Sequence, residues 1–510
     1  MSLKEAVLGL PLLRDLSSAQ QLNVLTSLTS AGLVLVSYVV YSSITSSKSD
    51  TIRKLGGFPV FTAWTFFTKR YDFIRSNFKD SDPHFKFKVL HHDVVAFRGE
   101  DARKAFFDTK SLDFIEGYKI LMGAAPSLKD IQVEESTQGD VSWFNKQIAI
   151  LLNKNRLTDA LPFLLNDINN RMVSWGKTAR IDPFKNIYDL VFQMTVRMAS
   201  CDELAKDVSA ISELQSLYWT LEKSATPTAL LLPWFPSPAK KRKEAATKEL
   251  FMKLYGYVEA RRHAKVPSSD AIDVLLSQGM DTPNIVQFTL SVIFAGVINT
   301  GINSCWAIVF LASHPEWKAK VKAEINAIIE KHTNTLSTEP LHKRLAAIPI
   351  SVWDDELPVL ELVIRETLRL SISGTALRRN VVEELTIANG RVNKGDFVAY
   401  SLADVHMNPE IYDQPDKFDP SRFETGREED KKGTFSFLGW GAGRHPCTGM
   451  KIAKLEIKVI MAMMLAGYDF DIVDKNGSPL KELPQPDRND IHQARPLGEP
   501  CFLQVERIMD

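Results

Sequence analysis

The chain has 510 residues, 45% of them hydrophobic, with 62 basic and 62 acidic side chains that cancel to a formal net charge of +0. That is ample for a large core, and the balanced charge argues against nucleic-acid binding, which shows as a basic surplus. The four cysteines, Cys201, Cys305, Cys447 and Cys501, are far apart and form no CxxC pair. This argues against a disulfide framework or zinc site and fits a reducing compartment.

No charged residue falls between Leu16 and Ser47. The most apolar part, Leu22 to Ile44, would be roughly 34 Å long as a helix, against about 30 Å of hydrocarbon. Its serines and threonines are tolerated because hydroxyls bond back to helix carbonyls. Lys48, Arg53 and Lys54 outweigh Asp50 on the C-terminal side, while Lys4, Glu5, Arg14 and Asp15 cancel on the other. The positive-inside rule then puts the C-terminal side, and the body of the chain with it, in the cytosol. A cleaved signal peptide is the alternative, disfavoured by the late apolar run and the lack of a small-residue cleavage site. The expected organisation is a lumenal segment 1–21, a membrane anchor 22–44, a hinge 45–60 containing Leu55-Gly56-Gly57-Phe58-Pro59, and one large domain 61–510.

Within that domain helical periodicity dominates. Helices are expected over Trp143–Leu152, Pro183–Met198 (N-cap Asp182, with Pro183 in the first position), Ala245–Ala264, Asn284–Ser313, Pro315–Lys331, Glu356–Leu370 and Met450–Leu465. Strand-like pieces are short: Phe85–Leu90, Val94–Phe97, Val381–Ile387 and Phe397–Ser401, with Asn389-Gly390 as a turn between the last two. The fold class is mainly α with small β-sheets. The loop from Leu230 to Pro238, holding Trp234 and Phe235 and followed by Lys240, Lys241, Arg242 and Lys243, suits a membrane surface. A proline-rich turn packed on the body is its alternative.

The segment carrying chemistry is Phe437-Leu438-Gly439-Trp440-Gly441-Ala442-Gly443-Arg444-His445-Pro446-Cys447-Thr448-Gly449, just before a helix. A thiolate ligand needs its charge stabilised, and the N–H groups of a glycine-rich turn and a helix N-terminus supply that. Gly441 and Gly443 allow the sharp turn.

From Trp440 to Gly449 the order aromatic, Gly, any, Gly, any, basic, any, Cys, any, Gly resembles the cysteine loop of the cytochromes P450. Trp440 stands where phenylalanine is usual and His445 where arginine is usual. The resemblance implies that Cys447 is the axial ligand of a haem b (iron protoporphyrin IX). Gly441, Gly443 and Gly449 then let the backbone approach the porphyrin, and Arg444 and His445 offer donors to its propionates. Two upstream patterns agree in order. Glu366-Thr367-Leu368-Arg369 resembles the family's ExxR motif, and Phe418-Asp419-Pro420-Ser421-Arg422-Phe423 resembles its PxRF segment. By resemblance Glu366, Arg369 and Arg422 form a buried ionic network. Arg378 lies where the family often has a propionate ligand; a solvated arginine beside Arg379 is the competing reading. Trp143 matches the tryptophan of the family's WxxxR pattern and is expected to reach a propionate, with Gln147 at the arginine position and Lys146 adjacent.

The helix Asn284–Ser313 carries Phe294-Ala295-Gly296-Val297-Ile298-Asn299-Thr300-Gly301 and resembles the family's I helix, which crosses the distal haem face. Small Ala295 and Gly296 leave room for oxygen and substrate. Where most members carry an acid and then threonine, this chain has Ile298 and Asn299. Thr300, one residue on, is turned by about 100°. Asparagine here is similar to the sterol 7α-hydroxylase and prostacyclin synthase branch, a likeness that extends through Asn299-Thr300 to Trp306. Asn299 and Thr300 are the candidate catalytic residues, with Asn299 holding a water by its amide. Ala295, Gly296, Asn299, Gly374 and Thr375 are the candidate pocket residues.

The resemblance implies a monooxygenase that hydroxylates a lipophilic small molecule (a steroid, terpenoid or other secondary metabolite) with O2. Electrons would come from NADPH–cytochrome P450 reductase, with cytochrome b5 as a further donor, since the chain has no GxGxxG and no room for flavin domains. It further implies a single-pass protein of the endoplasmic reticulum membrane, in contact with lipid, with a cytosolic catalytic domain and no nucleic-acid partner. A haem-thiolate isomerase or dehydratase needing no external electrons is the second reading, and a non-enzymatic haem sensor the third.

Overall fold

The computed structural model describes residues 52–79, 82–119, 141–224, 226–231, 237–264, 269–334, 337–490 and 494–509. The expected anchor 22–44, the segment before it, the first part of the hinge and residues 232–236 of the apolar loop lie outside these. The longer elements, in chain order, are α1 (Pro59–Thr68), α2 (Arg70–Asn77), β1 (His84–Val89), β2 (His92–Phe97), α3 (Glu100–Asp108), β3 (Leu112–Asp113), α4 (Phe114–Lys119), α5 (Val141–Leu151), α6 (Lys154–Val173), β4 (Thr178–Ile181), α7 (Pro183–Ala199), α8 (Val208–Ser224), α9 (Pro238–Arg262), α10 (Thr282–Ser313), α11 (Pro315–His332), α12 (Pro358–Ser371), β5 (Thr375–Asn380), β6 (Glu384–Ile387), β7 (Gly390–Asn393), β8 (Phe397–Ser401), α13 (Met450–Gly467), β9 (Tyr468–Val473) and β10 (Phe502–Arg507).

The helices begin where the sequence supplies caps. Asp182 accepts from Phe184 N–H at 2.9 Å with Pro183 next in line, and Asp281 accepts from Asn284 N–H at 2.9 Å. Ser237 caps α9 by accepting from Lys240 N–H at 3.2 Å, so that helix starts before the expected Ala245. The cationic run Lys240–Lys243 therefore lies in the first turns of a helix and not in a loop.

Helix α10 is apolar nearly all round, which a helix sustains only in a core or a membrane. It is long and apolar enough to cross a bilayer, but 61% of its apolar window is buried inside the protein. It is the central core helix, packed along α7 and against α9, α12 and α13. Trp306 is fully buried, and its indole N–H donates to the Ala494 carbonyl at 2.8 Å.

The three-stranded sheet packs into the helical core, and the five-stranded sheet has hydrophobic clusters of its own. The largest runs β1-β2-β8-β5-β3, with β2 and β8 parallel and the other pairs antiparallel. A three-stranded sheet runs β4-β10-β9 and a hairpin joins β6 to β7. Two expectations are corrected. Val381 and Val382 are not strand but a connection, 45% and 43% exposed. The Asn389 turn joins β6 to β7 rather than to β8: Ala388 and Asn389 take the positive φ values of the turn, and Gly390 already pairs with Ile387. In the expected hinge, residues 53–55 are tied to the sheet, with Lys86 N–H donating to the Arg53 carbonyl and Leu55 N–H to the Lys86 carbonyl, both at 2.8 Å.

The closest fit between α7 and α10 is at Gly301, where an added Cβ would stand 2.7 Å from the Tyr188 ring. That ring is held in place, its hydroxyl donating to Glu222 at 3.1 Å. Gly301→Val is expected to lower stability by about 1–3 kcal/mol through overpacking, measured by denaturant unfolding of the full chain; an unchanged midpoint would show that α7 moves freely from α10.

Candidate functional site

The loop before α13 is folded by its own backbone. Gly441 N–H donates to the Leu438 carbonyl at 3.0 Å and Cys447 N–H to the Trp440 carbonyl at 2.8 Å. Gly441 and Gly443 take φ of +71° and +59°. A Cβ on Gly443 would stand 2.4 Å from the Phe107 carbonyl oxygen, and one on Gly441 would stand 2.8 Å from that of His445. Both glycines are thus required by the protein's own backbone; their freedom lets the loop seat against the end of α3, where Arg444 N–H donates to the Phe107 carbonyl at 3.1 Å. The outcome is that Pro446, Cys447 and Thr448 are exposed ahead of α13. Gly449 is the N-cap residue of α13, and a Cβ there would make only an ordinary contact, 4.0 Å from the Ile452 side chain.

Burial by the surrounding protein raises the Cys447 thiol, and a backbone hydrogen bond from Gly449 acts the other way without reversing it. The turn acts on the sulfur in the expected direction, and a cation bound there would favour the thiolate further.

The loop is anchored from behind by charge. Arg369 makes a bidentate pair with Glu366, Nε to Oε2 and Nη2 to Oε1, both at 2.8 Å. Arg422 Nε donates to Glu366 Oε1 at 3.0 Å and Arg422 Nη1 to Glu429 Oε2 at 2.7 Å. Glu366 and Arg369 are fully buried, and Arg422 is 1% exposed. Glu429, unforeseen in the sequence, adds a second anion, and its other oxygen accepts from Arg427 Nη2 at 2.7 Å. His406 was also unforeseen. Arg369 Nη1 donates to its carbonyl at 2.7 Å. Its imidazole lies 2.9 Å (Nδ1) from the Ile372 carbonyl and 3.0 Å (Nε2) from Leu438 N. Since a carbonyl only accepts and an N–H only donates, His406 is neutral with its proton on Nδ1. Burial, reinforced by Arg369 and Arg103, pushes its pKa down to about 3.

Helix α10 presents Ser291, Ala295 and Asn299, four residues apart, as exposed positions, while Val297 and Thr300 are buried. Of the two candidate catalytic residues only Asn299 is on the open face. Its Nδ2 donates back to the Ala295 carbonyl at 3.3 Å, leaving Oδ1 free for a guest. Asn303 Nδ2 donates to the Asn299 carbonyl at 2.7 Å, and Ser371 Oγ donates to Asn303 Oδ1 at 2.6 Å. Just beyond Ser371, Gly374 is exposed with nothing near its Cα, and Thr375 is buried with its hydroxyl unpartnered. Gly296 instead faces Thr195, whose hydroxyl donates to Glu456 Oε1 at 3.4 Å. Burial raises the Glu456 carboxyl well above its usual range.

Arg378 is 4% exposed, over the rings of Phe114 at 4.5 Å and Phe106 at 4.9 Å. Its Nη1 donates to the Leu377 carbonyl at 3.0 Å, its Nε is buried without an acceptor, and burial brings its pKa down to about 10. It is no solvated surface arginine. His445 stacks on the same Phe114 ring at 5.3 Å, and burial, then Arg378 and Arg444, lower its pKa. Trp143 is half-buried, edge-on to Phe288 at 5.8 Å; Gln147 is buried with Oε1 unpartnered, and Lys146 is exposed. Among the described residues no three His, Cys, Asp or Glu side chains are placed to hold a bare metal ion. One exposed thiol, a buried arginine whose Nε has no acceptor, and an unpartnered indole N–H at Trp440 fit an iron whose remaining ligands and carboxylates belong to a macrocycle.

A helical body whose last long helix opens on one exposed cysteine, backed by a buried ExxR network, is that of a haem-thiolate protein. The chain belongs to the cytochrome P450 family: the family model, Cytochrome P450, matches residues 182–497. It is 29% identical over 469 residues to cytochrome P450 monooxygenase AacuE of Aspergillus aculeatus, covering 89% of this chain and 93% of the relative. It is 27% identical over 351 residues to sterol 14-demethylase of Arabidopsis thaliana, covering 65% and 67%. The retinoic acid-bound structure of cyanobacterial CYP120A1 shares its fold, with a TM-score of 0.70 at 19% identity over 90% of this chain and 100% of that one. The protein is thus an enzyme of the cytochrome P450 monooxygenase class, and the family implies a haem iron cofactor.

His406→Ala is expected to cost about 2–4 kcal/mol at pH 7.5, because it orphans a buried carbonyl and a buried N–H, and to loosen the cysteine loop. The folded pKa lies below the unfolded value, so the contribution is present above about pH 6.5 and is lost as pH falls, by about 1.4 kcal/mol per unit. Urea unfolding should show wild type and variant converging between pH 6.5 and 5; parallel curves would mean that the imidazole is not buried neutral.

Proposed function

We propose that the protein is a membrane-associated haem b monooxygenase that oxidises a lipophilic small molecule, a steroid, terpenoid or other secondary metabolite. Electrons come from NADPH–cytochrome P450 reductase, with cytochrome b5 as an auxiliary donor. The observation that carries this reading is the exposed Cys447 thiol at the end of a glycine loop that a buried charge network backs. When bound through Cys447, the haem supplies oxygen activation, favoured by electron donation from the sulfur.

The chain's own residues do the rest. Arg378, His445 and Trp143 hold the propionates, Arg378 gaining an acceptor for its buried Nε–H. Ala295 and Gly374 leave apolar room for substrate. Asn299 Oδ1 holds a water on the open face and orients its protons, the task that an acid and a threonine carry elsewhere in the family. Thr300, buried, takes no part in it. One relative is by name a sterol 14-demethylase, which favours a rigid lipophilic substrate.

The membrane reading is supported by α1 and the residue before it. Phe58, Val60, Phe61 and Trp64 are 54%, 48%, 71% and 46% exposed, an aromatic patch of the kind that sits at headgroup level. It begins in the last residues of the expected hinge, close behind the expected anchor, and it suits the endoplasmic reticulum membrane. A second reading, a haem-thiolate isomerase, is favoured by one feature, asparagine at the threonine position.

With reductase and NADPH, a lipophilic substrate found by screening is expected to gain an oxygen atom, and omission of either is expected to abolish turnover; full turnover without them would establish the isomerase instead. Asn299→Leu is expected to lower product per NADPH consumed by about 10- to 100-fold, whereas Thr300→Val is expected to change it little; the reverse ranking would show that Thr300 handles the proton.

A further inference from the structure

A cleft of about 880 Å³ is built from three separate parts of the chain: the start of α7, one face of α8, and residues 495–501 before β10. Its size suits a drug-sized ligand. Three cations stand in its wall, Lys185 on α7, Lys223 on α8 and Arg495 on the C-terminal segment. All three are exposed, and among the described residues none of their side chains has an ion pair or a hydrogen bond. The two acids in the same wall are already engaged. Asp182 caps α7 by accepting from Phe184 N–H, and Asp189 accepts from the Gln215 amide. Burial raises the pKa of both carboxyls. The cleft therefore has a positive surplus, although the chain as a whole has a net charge of +0.

Two half-buried rings, Trp219 and Phe184, complete the lining. Each of them leads to α10. The Trp219 ring lies 4.8 Å from that of Tyr188, the ring fitted closely against Gly301. Phe184 stands edge-on to Trp306 at 5.2 Å, and Arg495 directly follows Ala494, whose carbonyl accepts from the Trp306 indole. On α10, Gly301 is turned by about 200° from Asn299, and Trp306 lies about 10 Å further along the axis. The cleft thus meets the central helix away from the open face at Asn299.

We propose that this cleft binds a planar aromatic anion, a phosphate or sulfate carried on a ring system, as a second ligand distinct from the substrate oxidised at the haem. Lys185, Lys223 and Arg495 supply donors and charge to the anionic group, and Trp219 and Phe184 supply aromatic surface to the ring. A nucleotide and a phosphorylated aromatic metabolite share this chemistry, and the probes separate them. A ligand held by Lys223 and Arg495 together bridges α8 to the C-terminal segment, so its binding also raises the melting temperature.

The test uses the full-length haem-loaded protein in detergent, with the iron capped by 4-phenylimidazole so that the haem side is occupied. The probes are 2-naphthyl phosphate, AMP, 2-naphthol and inorganic phosphate, read by calorimetric binding at low salt. At least one aromatic phosphate is expected to bind about 10-fold or more tightly than 2-naphthol and than inorganic phosphate. A preference for AMP assigns the cleft to nucleotides, and a preference for 2-naphthyl phosphate assigns it to aromatic metabolites. Raising the salt to about 0.5 M should weaken the binding, because the cations are exposed. Lys223→Glu combined with Arg495→Glu should lower the affinity about 10-fold or more. Haem content and the ligand-free melting temperature should stay unchanged in that variant, since neither side chain has a partner to lose. Trp219→Leu should remove the advantage of the aromatic phosphate over inorganic phosphate. Absence of binding by both aromatic phosphates, or binding that survives the double charge reversal, overturns the site. Binding seen only without the cap places the ligand at the haem and overturns it too. Should Trp219→Leu fail to fold, the probes and the charge reversals decide alone.

Discussion

The placing of the loop before Cys447 depends on four charges packed almost wholly out of water. Glu366, Arg369, Arg422 and Glu429 are packed into a set in which each guanidinium has a carboxylate and at least one backbone carbonyl. Such a set is a poor source of net stability, because desolvation offsets most of the attraction. Its value is geometric. A buried charge missing one partner costs about 3–5 kcal/mol, so the set tolerates only one arrangement. That arrangement fixes the PxRF segment and, through the His406 carbonyl and imidazole, the first residues of the cysteine loop. A loop built from glycines has little preference of its own, and its shape is imposed from behind.

A second set of contacts runs from α10 to the cysteine loop. Asn299 on the open side is bonded through Asn303 to Ser371, at the end of the ExxR helix. The next residue, Ile372, accepts from His406, which in turn accepts from Leu438 of the cysteine loop. Oxygen-side and sulfur-side elements are thus linked by a short run of directional contacts, without a flexible segment between them. This suits a reaction in which a substrate must lie at a fixed distance from a prosthetic group. Asparagine at position 299 gives up the family's acid–threonine pair but keeps a polar group on the open face, anchored by its own helix.

Much of this was legible in the sequence because it is local. Caps, the proline at the start of α7, the ExxR spacing and the glycine pattern before Cys447 each act within a few residues. What escaped depends on distant partners. His406 meets Leu438 thirty-two residues away and reads as an ordinary histidine until both bonds are seen. Glu429 sits in a charged run that looks like solvated surface. The strand β5 was masked because its Thr375, Arg378 and Asn380 are polar yet buried, whereas the apolar Val381 and Val382 that read as strand are exposed. A buried arginine and a surface arginine are the same letter, so the burial of Arg378 could not be read from the chain.

The most direct measurement is the absorption spectrum of the reduced protein under carbon monoxide, for wild type and for Cys447→Ser. Wild type should show the red-shifted Soret band of a thiolate-ligated haem, and the variant should lack it. A band that survives the substitution, or purified wild type that carries no haem, would contradict sulfur as the ligand and remove the basis for the proposed chemistry.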